Sequence, residues 1–431
     1  MKHAILLLIL ITVPDARAMA QSQWLVFRGA TVHPVAAPPV VNAAIVVGDG
    51  LVREIGPADQ ISSPPGAQEI DLSGKVVIPG LVDTHSHIGR VEGGDGTGAF
   101  HPGIRTLDAI NIRHSSIERA RAGGITTVNI MSGSGHLMSG QTSYLKLRRG
   151  NSIEDLLFCE DPIRDICGGM KMANGTNPIR QEPGSFPGTR ARSAAMARKQ
   201  FVDAIAYRDN LTRAGDDVSK RPDRDLEKEA LVEVLEGRRI VHFHVHRHDD
   251  ILTALRLRDE FGFRMVLHHL SEAWKVAEEI ARAGVPASII VLDSPGGKLE
   301  AVDIRLENGA VLANAGVDVA YHTDDYITDS RLFLRSAALG IRAGLTREKA
   351  LEALTLAGAR MLDLSDRIGS LETGKDADFV VLTGDPFSVY TRVEQTWIEG
   401  VKVFDLNDPD HRRYAVGDFD VMDAQEAAHV D

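Results

Sequence analysis

Cysteine is nearly absent: Cys159 and Cys167 stand alone in 431 residues. That count excludes a cysteine-rich structural zinc site. In an oxidising compartment the two can pair; elsewhere they are two small buried thiols, and spacing does not choose between these. Aromatic residues are sparse too, at 5%. No long Lys/Arg run occurs, the formal net charge is -12 and the sequence pI is about 5.7. A general nucleic-acid binder needs a basic face, so that class is disfavoured. After the N-terminus, no apolar run reaches the roughly 20 residues of a membrane helix.

What is present begins with a short address. MKHAILLLILITVPDARAMAQS starts with Lys2, runs apolar from Ala4 to Val13 and ends in small residues. The run is too short to span a bilayer, and the pattern is that of a signal peptide over residues 1–20. Cleavage is expected after Ala20, with Ala18 as the alternative. The competing reading is a buried N-terminal strand or helix. The mature protein is expected to be periplasmic or secreted, with no membrane attachment.

A hydrophobic content of 43% and 40 glycines suit a globular chain rich in tight turns. Residues 24–75 carry β-branched runs broken by Gly, Asp and Pro, and "VGDG" has the form of a hairpin turn. From about residue 76, short apolar strands alternate with helical segments, several ending at Gly. Such alternation implies parallel βαβ units. Eight candidate strands stand out: "VVIPGLVDTH", "TTVNIM", "SYLKLR", "GMKMAN", "IVHFHVH", "RMVLHHL", "SIIVLD" and "VAYHTD". The expected fold class is α/β: a (β/α)8 TIM barrel over 76–364, plus a small β-sandwich built from both chain ends, 21–75 and 365–408. Residues 409–431 are expected as a C-terminal tail. An open doubly wound sheet is the alternative, but no Gly-rich dinucleotide fingerprint follows the first strand.

Chemistry gathers at the strand ends. His85 and His87 are two apart in "PGLVDTHSH", so in a strand they share one face. "RRIVHFHVHRHDDI" places His242, His244, His246 and His248 at alternate positions, again on one face. "VLHHLSEAW" offers His268 and His269, neighbours that point to opposite faces of an extended strand. "VAYHTDDY" offers His322, Asp324 and Asp325, and "GGMKMANG" offers Lys171. Each residue alone suits a structural role. Convergence at one barrel mouth makes a metal site the better reading.

Across residues 24–405 stand the motifs "PGLVDTHSH", "GGITTV", "GMKMANGTNPIR", "HVHRHDDI", "HHLSEAW", "HTDD" and "IGSLETGKDADFVVL", the first at residue 79 and the last ending at residue 382. By them the chain resembles the amidohydrolase superfamily of metal-dependent hydrolases, and within it the imidazolonepropionase-related and prolidase-like group. The resemblance implies metal ligands His85, His87, Lys171, His244, His269 and Asp324. It implies zinc, one or two ions per chain, with Lys171 N-carboxylated between two ions. A plain ammonium has no lone pair for a metal. Lys146, one strand earlier, is the rival for that role. With neither carboxylated, a single ion on His85, His87, His244 and Asp324 is expected. His246 would lie beside substrate or behind a ligand, His242 deeper in the barrel, and His248 at the start of the loop.

The implied reaction is cleavage of an amide, peptide or cyclic-amide C–N bond by a metal-activated hydroxide, with Asp324 as general acid and base. Deamination fits less well: related deaminases carry a Glu shortly after the fifth-strand His, and here Val245, His246, Arg247 and His248 follow. Imidazolonepropionase itself has an acidic pair there, so that activity is weakened too. Arg90 could dock a substrate carboxylate or be a solvated loop residue; Arg180 has the same two readings. The expected partner is a small-molecule amide or dipeptide, and a prolidase-like dipeptidase is the specific alternative. From a different class, a periplasmic metal-binding protein without catalysis would need the histidines but not Asp324. The oligomeric state stays open, a homo-oligomer included.

Overall fold

The computed structural model describes residues 24–91, 93–182, 184–291 and 298–417. The signal-peptide reading over 1–20 lies outside them, as does the tail beyond 417. Five strands open the described chain: β1 (Leu25–Val32), β2 (Val40–Gly48), β3 (Leu51–Pro57), β4 (Gln68–Asp71) and β5 (Val76–Pro79). Nine follow: β6 (Leu81–Ser86), β7 (Ile125–Ile130), β8 (Met138–Gln141), β9 (Ser143–Lys146), β10 (Met170–Ala173), β11 (Val241–Val245), β12 (Met265–His269), β13 (Ala287–Ile289) and β14 (Val319–Tyr321). Three close it: β15 (Phe379–Leu382), β16 (Val393–Ile398) and β17 (Val401–Asp405). The result is a mixed α/β fold.

The first and last groups join as one hydrogen-bonded sheet, ordered β17-β16-β15-β5-β1-β2-β3 with β4 beside β1. Strand alternation sorts its side chains: Leu25, Phe27, Ile45 and Val47 enter one core, Val26, Ala44 and Val46 another. Phe27 lies edge-on to Phe379 and to Trp397, each ring pair 4.9 Å apart, which ties the two chain ends together. The "VGDG" turn has φ 54° at Asp49 and 77° at Gly50. Two left-handed residues give the twist that a tight β-hairpin needs.

The middle strands form two sheets, β14-β13-β12-β11-β10-β8 and β6-β7-β9. Successive pairs from β10 to β14 are parallel, and so are β6 and β7. Two expectations are corrected. The run "VVIPGLVDTH" is two strands, not one. It breaks at Gly80, where a Cβ would stand 2.1 Å from Thr126 Oγ1. β5 therefore stays in the composite sheet while β6 begins the next. And "SYLKLR" does not run parallel: β9 is antiparallel to β7, and β8 is antiparallel to β10. No helix lies between β7 and β8. Without a crossover the chain can only return antiparallel. Thr142 joins β8 to β9 and exchanges hydrogen bonds with Gly169: its N donates to the Gly169 carbonyl, and its Oγ1 accepts from Gly169 N, both at 2.8 Å.

Helices cover the strands. His248–Phe261 and Ala277–Ala283 end at Gly262 and Gly284 in the left-handed conformation, as the glycine pattern implies. A third correction concerns the C-terminus: Pro409–Val416, expected as tail, is a helix. Asp408 caps it, Pro409 sits in its first turn and Gly417 closes it at φ 78°. Cys159 and Cys167 form a disulfide, with Cα atoms 5.1 Å apart.

Lys146 answers the question of the rival lysine. Its fully buried Nζ binds Asp376, lies 3.1 Å from Asp378 and 3.2 Å from Glu399. It thus pins β9 to the loop before β15 and to the β16–β17 turn, away from the histidines. Removing one partner from a buried ion cluster leaves uncompensated charge. Lys146→Met should therefore cost about 3–5 kcal/mol of stability and leave the metal content of the folded protein unchanged, checked by denaturant unfolding and elemental analysis. A folded variant depleted of metal would return Lys146 to the site.

Candidate metal centre

The histidines and acids converge where the parallel strands end. His85 and His87 come from the end of β6, Lys171 from β10, His244 and His246 from β11, and His268 and His269 from β12. His322 and Asp324 follow β14. Asp324 Oδ1 lies 2.9 Å from His87 Nε2 and 3.3 Å from His85 Nε2, and Oδ2 lies 3.8 Å from His269 Nδ1. Lys171 Nζ donates to His85 Nε2 at 3.0 Å. His244 stands against His269, with ring centroids 4.2 Å apart. All six residues expected as ligands are thus brought together.

Backbone geometry explains the convergence. Asp324 has φ 50° and His269 φ 70°, both in the left-handed region that non-glycine residues rarely occupy. Asp324 N donates to the His85 carbonyl and His87 N to that of Asp325, fastening the end of β14 to the end of β6. At His269 the turn has a further effect. In a regular strand His268 and His269 would face opposite ways. With the chain turned at His269, both rings pack on His85, at 5.0 and 4.7 Å. His268 fills the layer below and meets His242, its Nε2 2.9 Å from His242 Nδ1. His242 also meets the Tyr144 hydroxyl at 2.8 Å, so it lies deep, as expected.

The donor set suits a cation. Three groups each place their ligand atoms within 4.8 Å of one another: His85, His87 and Asp324; His85, His269 and His322; His244, His246 and His269. Among the described residues, His85 Nδ1, His246 Nε2, His268 Nδ1 and His269 Nε2 of this cluster are buried with no hydrogen-bond partner. Orphaned ring nitrogens are costly unless something else engages them. Burial, aided by neighbouring cationic groups, pulls the imidazoles of His85, His244 and His269 well below their ordinary range. They are neutral, the form that binds metal. Burial pushes the Asp324 carboxyl up, but the His87 hydrogen bond and the fields of His87, His322 and Lys171 outweigh it. It stays ionised. Burial brings the Lys171 ammonium down to about 7. A neutral amine is what addition of carbon dioxide requires.

His322 is the residue left out of the expected ligand set. Its Nε2 is 3.4 Å from His269 Nδ1 and its Nδ1 is 2.8 Å from Ser288 Oγ. The signal was present, since His322 and Asp324 are two apart in "HTDD". His248 begins the loop helix and pairs with Glu272 at 2.6 Å. Arg180 is structural: its guanidinium donates to the carbonyls of Asn177, Ile179 and Gly135.

A cleft of about 200 Å3 opens on the cluster, lined by His87, His244, Asp324, Asn177, Lys298 and Tyr326. Arg90 is exposed and does not line it. Lys298 holds the cationic position there that Arg90 was expected to hold. A larger groove, about 460 Å3, lies by the helix Phe333–Arg342, but no histidine or carboxylate lines it.

Comparison with known proteins bears on the family. The amidohydrolase family profile matches residues 226–404. The amidohydrolase tasK of Hapsidospora irregularis is 29% identical over 84% of this chain, which spans 40% of that protein's length. The imidazolonepropionase of Micrococcus luteus is 24% identical, over 80% of this chain and 88% of its own. A crystal structure of an amidohydrolase from Thermotoga maritima superposes with a TM-score of 0.81 at 35% identity, covering 88% of this chain and all of the other. With a likeness of that identity over most of the chain, the chain belongs to the amidohydrolase superfamily and is a hydrolase of carbon–nitrogen bonds.

Proposed function

We propose that this is an exported, metal-dependent amidohydrolase that cleaves an amide, peptide or cyclic-amide bond of a small molecule. The carrying observation is Asp324, an ionised carboxylate in contact with His85 and His87 at the floor of the cleft. We read the middle sheets as a closed barrel of the (β/α)8 type beginning at β6, over 81–364, with 24–79 and 365–408 as the composite β domain. The hydrogen bonds joining the ends of β14 and β6 support closure, and a site at the strand C-termini is where such barrels keep their chemistry. The disulfide supports export, since such bonds persist in oxidising compartments.

Zinc is the proposed metal, one or two ions per chain, held by His85, His87, His244, His269 and Asp324, with Lys171 N-carboxylated between two. A bound divalent ion acidifies water and polarises a carbonyl oxygen. The chain supplies the rest. Asp324 takes a proton from the attacking water and returns it to the leaving nitrogen. Lys298, at the cleft rim and in no ion pair among the described residues, suits a substrate carboxylate, as an acyl amino acid or dipeptide would offer. A small carboxylated amide is therefore the favoured substrate.

Two measurements test this. Asp324→Asn should lower kcat by about 100- to 10,000-fold while the zinc-loaded protein keeps much of its metal. Turnover at the wild-type rate would remove Asp324 from its role. A wild-type protein inert toward N-acyl amino acids, dipeptides and cyclic amides would overturn the reading itself. Separately, Lys298→Ala should raise KM for carboxylated substrates by roughly 10- to 100-fold, the worth of one charged hydrogen bond, while Arg90→Ala leaves KM unchanged. The reverse pattern would restore Arg90.

A further inference from the structure

We infer that Glu300 is a positioning residue for substrate recognition: it ties together the two loops that carry Lys298 and Asn177, so that ammonium and amide jointly receive the substrate carboxylate. This deepens the reading of Lys298 above and rests on it. Lys298 and Asn177 both line the cleft, but they reach it from different parts of the chain. Asn177 stands in the turn after β10, and Lys298 begins the short helical turn Leu299–Ala301 after β13. Two donors on separate loops act on one carboxylate only if something fixes their spacing.

Glu300 joins the two loops. Its side chain is 1% exposed. Oε2 accepts a hydrogen bond from Thr176 N, the neighbour of Asn177, at 2.8 Å. Gly175 permits that approach: its φ is 78°, and a Cβ there would stand 2.6 Å from Oε2. Little else among the described residues holds the turn that Lys298 begins. Leu299 is 91% exposed and Val302 71%, so apolar packing does not anchor it. The far end is held at Asp303, whose carbonyl accepts from Trp274 Nε1 at 3.1 Å and whose carboxylate pairs with Lys275 at 2.6 Å. Glu300 is the inner anchor.

A plain structural ion pair explains these contacts less well. The Arg190 guanidinium is 3.6 Å from Glu300, and Arg190 Nε donates instead to Asp250 at 2.8 Å. Glu300 Oε1 is buried with no partner among the described residues. A buried carboxylate with one idle oxygen is costly; what it secures is the contact between loops. On the other side, Asn174 fixes its turn to β11 and the following helix. Its N donates to the His244 carbonyl at 3.3 Å, and its Nδ2 to the Asp250 carbonyl at 3.0 Å. The Asn177 amide nitrogen then lies 3.3 Å from His244 Nε2. One carboxylate thus sets how far Lys298 stands from Asn177 and, through it, from His244. A small misplacement of such a receiver weakens its hold on the group it recognises.

The test compares an N-acyl amino acid with its carboxamide on the zinc-loaded full chain. Glu300→Asp keeps the charge but falls a methylene short of Thr176. It should raise KM for the acid about 10-fold and for the amide by less, so that the preference for the acid narrows. Glu300→Gln keeps an acceptor for Thr176 N and should restore that preference. Because Glu300 acts through Lys298 and Asn177, adding Glu300→Asp to Lys298→Ala/Asn177→Ala should change KM by less than about twofold. Equal losses on acid and amide, full additivity, or a wild-type preference in Glu300→Asp overturns the inference and leaves the proposed function standing. Circular dichroism confirms folding; should Glu300→Asp not fold, Gly175→Ala, which drives the carboxylate from the turn, carries the same test. A wild-type protein that hydrolyses the amide as readily as the acid overturns the Lys298 reading and the inference with it. One that hydrolyses no N-acyl amino acid, dipeptide or cyclic amide overturns the proposed function as well.

Discussion

The joint between the ends of β6 and β14 is the constraint on which the site depends. Asp83 is wholly buried in β6, and burial pushes its carboxyl up to about 7. Its oxygens accept hydrogen bonds from Thr323 N and Thr323 Oγ1 across the joint, and from His85 N beside it. An unpaired buried carboxyl would be costly; here its cost is offset by a lock between segments 240 residues apart in sequence. The lock sits one residue before Asp324 and two before His85. It therefore sets the register in which Asp324 meets His85 and His87. The left-handed turn at Asp324 is strained, and it persists because both flanks are held: Thr323 by Asp83, and Asp324 N by the His85 carbonyl.

The histidines above this joint are arranged in depth rather than scattered. Tyr144, His242 and His268 form a hydrogen-bonded chain at the bottom, in which His242 uses both ring nitrogens and His268 its Nε2. His85, His269 and His322 stand over it, and His87, His244 and Asp324 reach the cleft. Such a stack of polar rings could not replace an apolar core unless its members supported one another. In the lower layer His242 is fully engaged, while His268 keeps one buried nitrogen, Nδ1, without a partner among the described residues. In the upper layers His87 and His322 engage both ring nitrogens, whereas His85 Nδ1 and His269 Nε2 have no such partner.

Much of this was legible in the sequence because it depends on period and position. Alternate residues in a strand share a face, so His85 with His87 and His244 with His246 were readable as pairs. Strand–helix alternation placed them at one set of strand ends, and glycines marked helix stops. The features that escaped depend on contacts made at a distance. Whether Lys146 or Lys171 reaches the histidines turns on Asp376, Asp378 and Glu399, more than 200 residues away. The reversal of β8 and β9 follows from the missing crossover, which shows only when the neighbours are known. The break at Gly80 reflects the approach of Thr126. The helix at Pro409–Val416 is a different case, since its Asp-Pro start and Gly stop were written in the sequence.

His269 shows most sharply why strand logic has a limit at functional ends. Opposite-facing neighbours are a rule for extended backbone, and active residues stand where extension stops. Positive φ at His269 and again at Leu270 turns the chain as β12 ends. The Leu270 amide then returns to the Val245 carbonyl of the neighbouring strand. That hydrogen bond anchors the turn to β11, one residue from His244 and one from His246. The same few atoms that bend β12 therefore set the spacing between the histidines of the two strands. Here the strain and the site are one feature: relaxing the turn would return His269 to the far face and separate it from every partner it has.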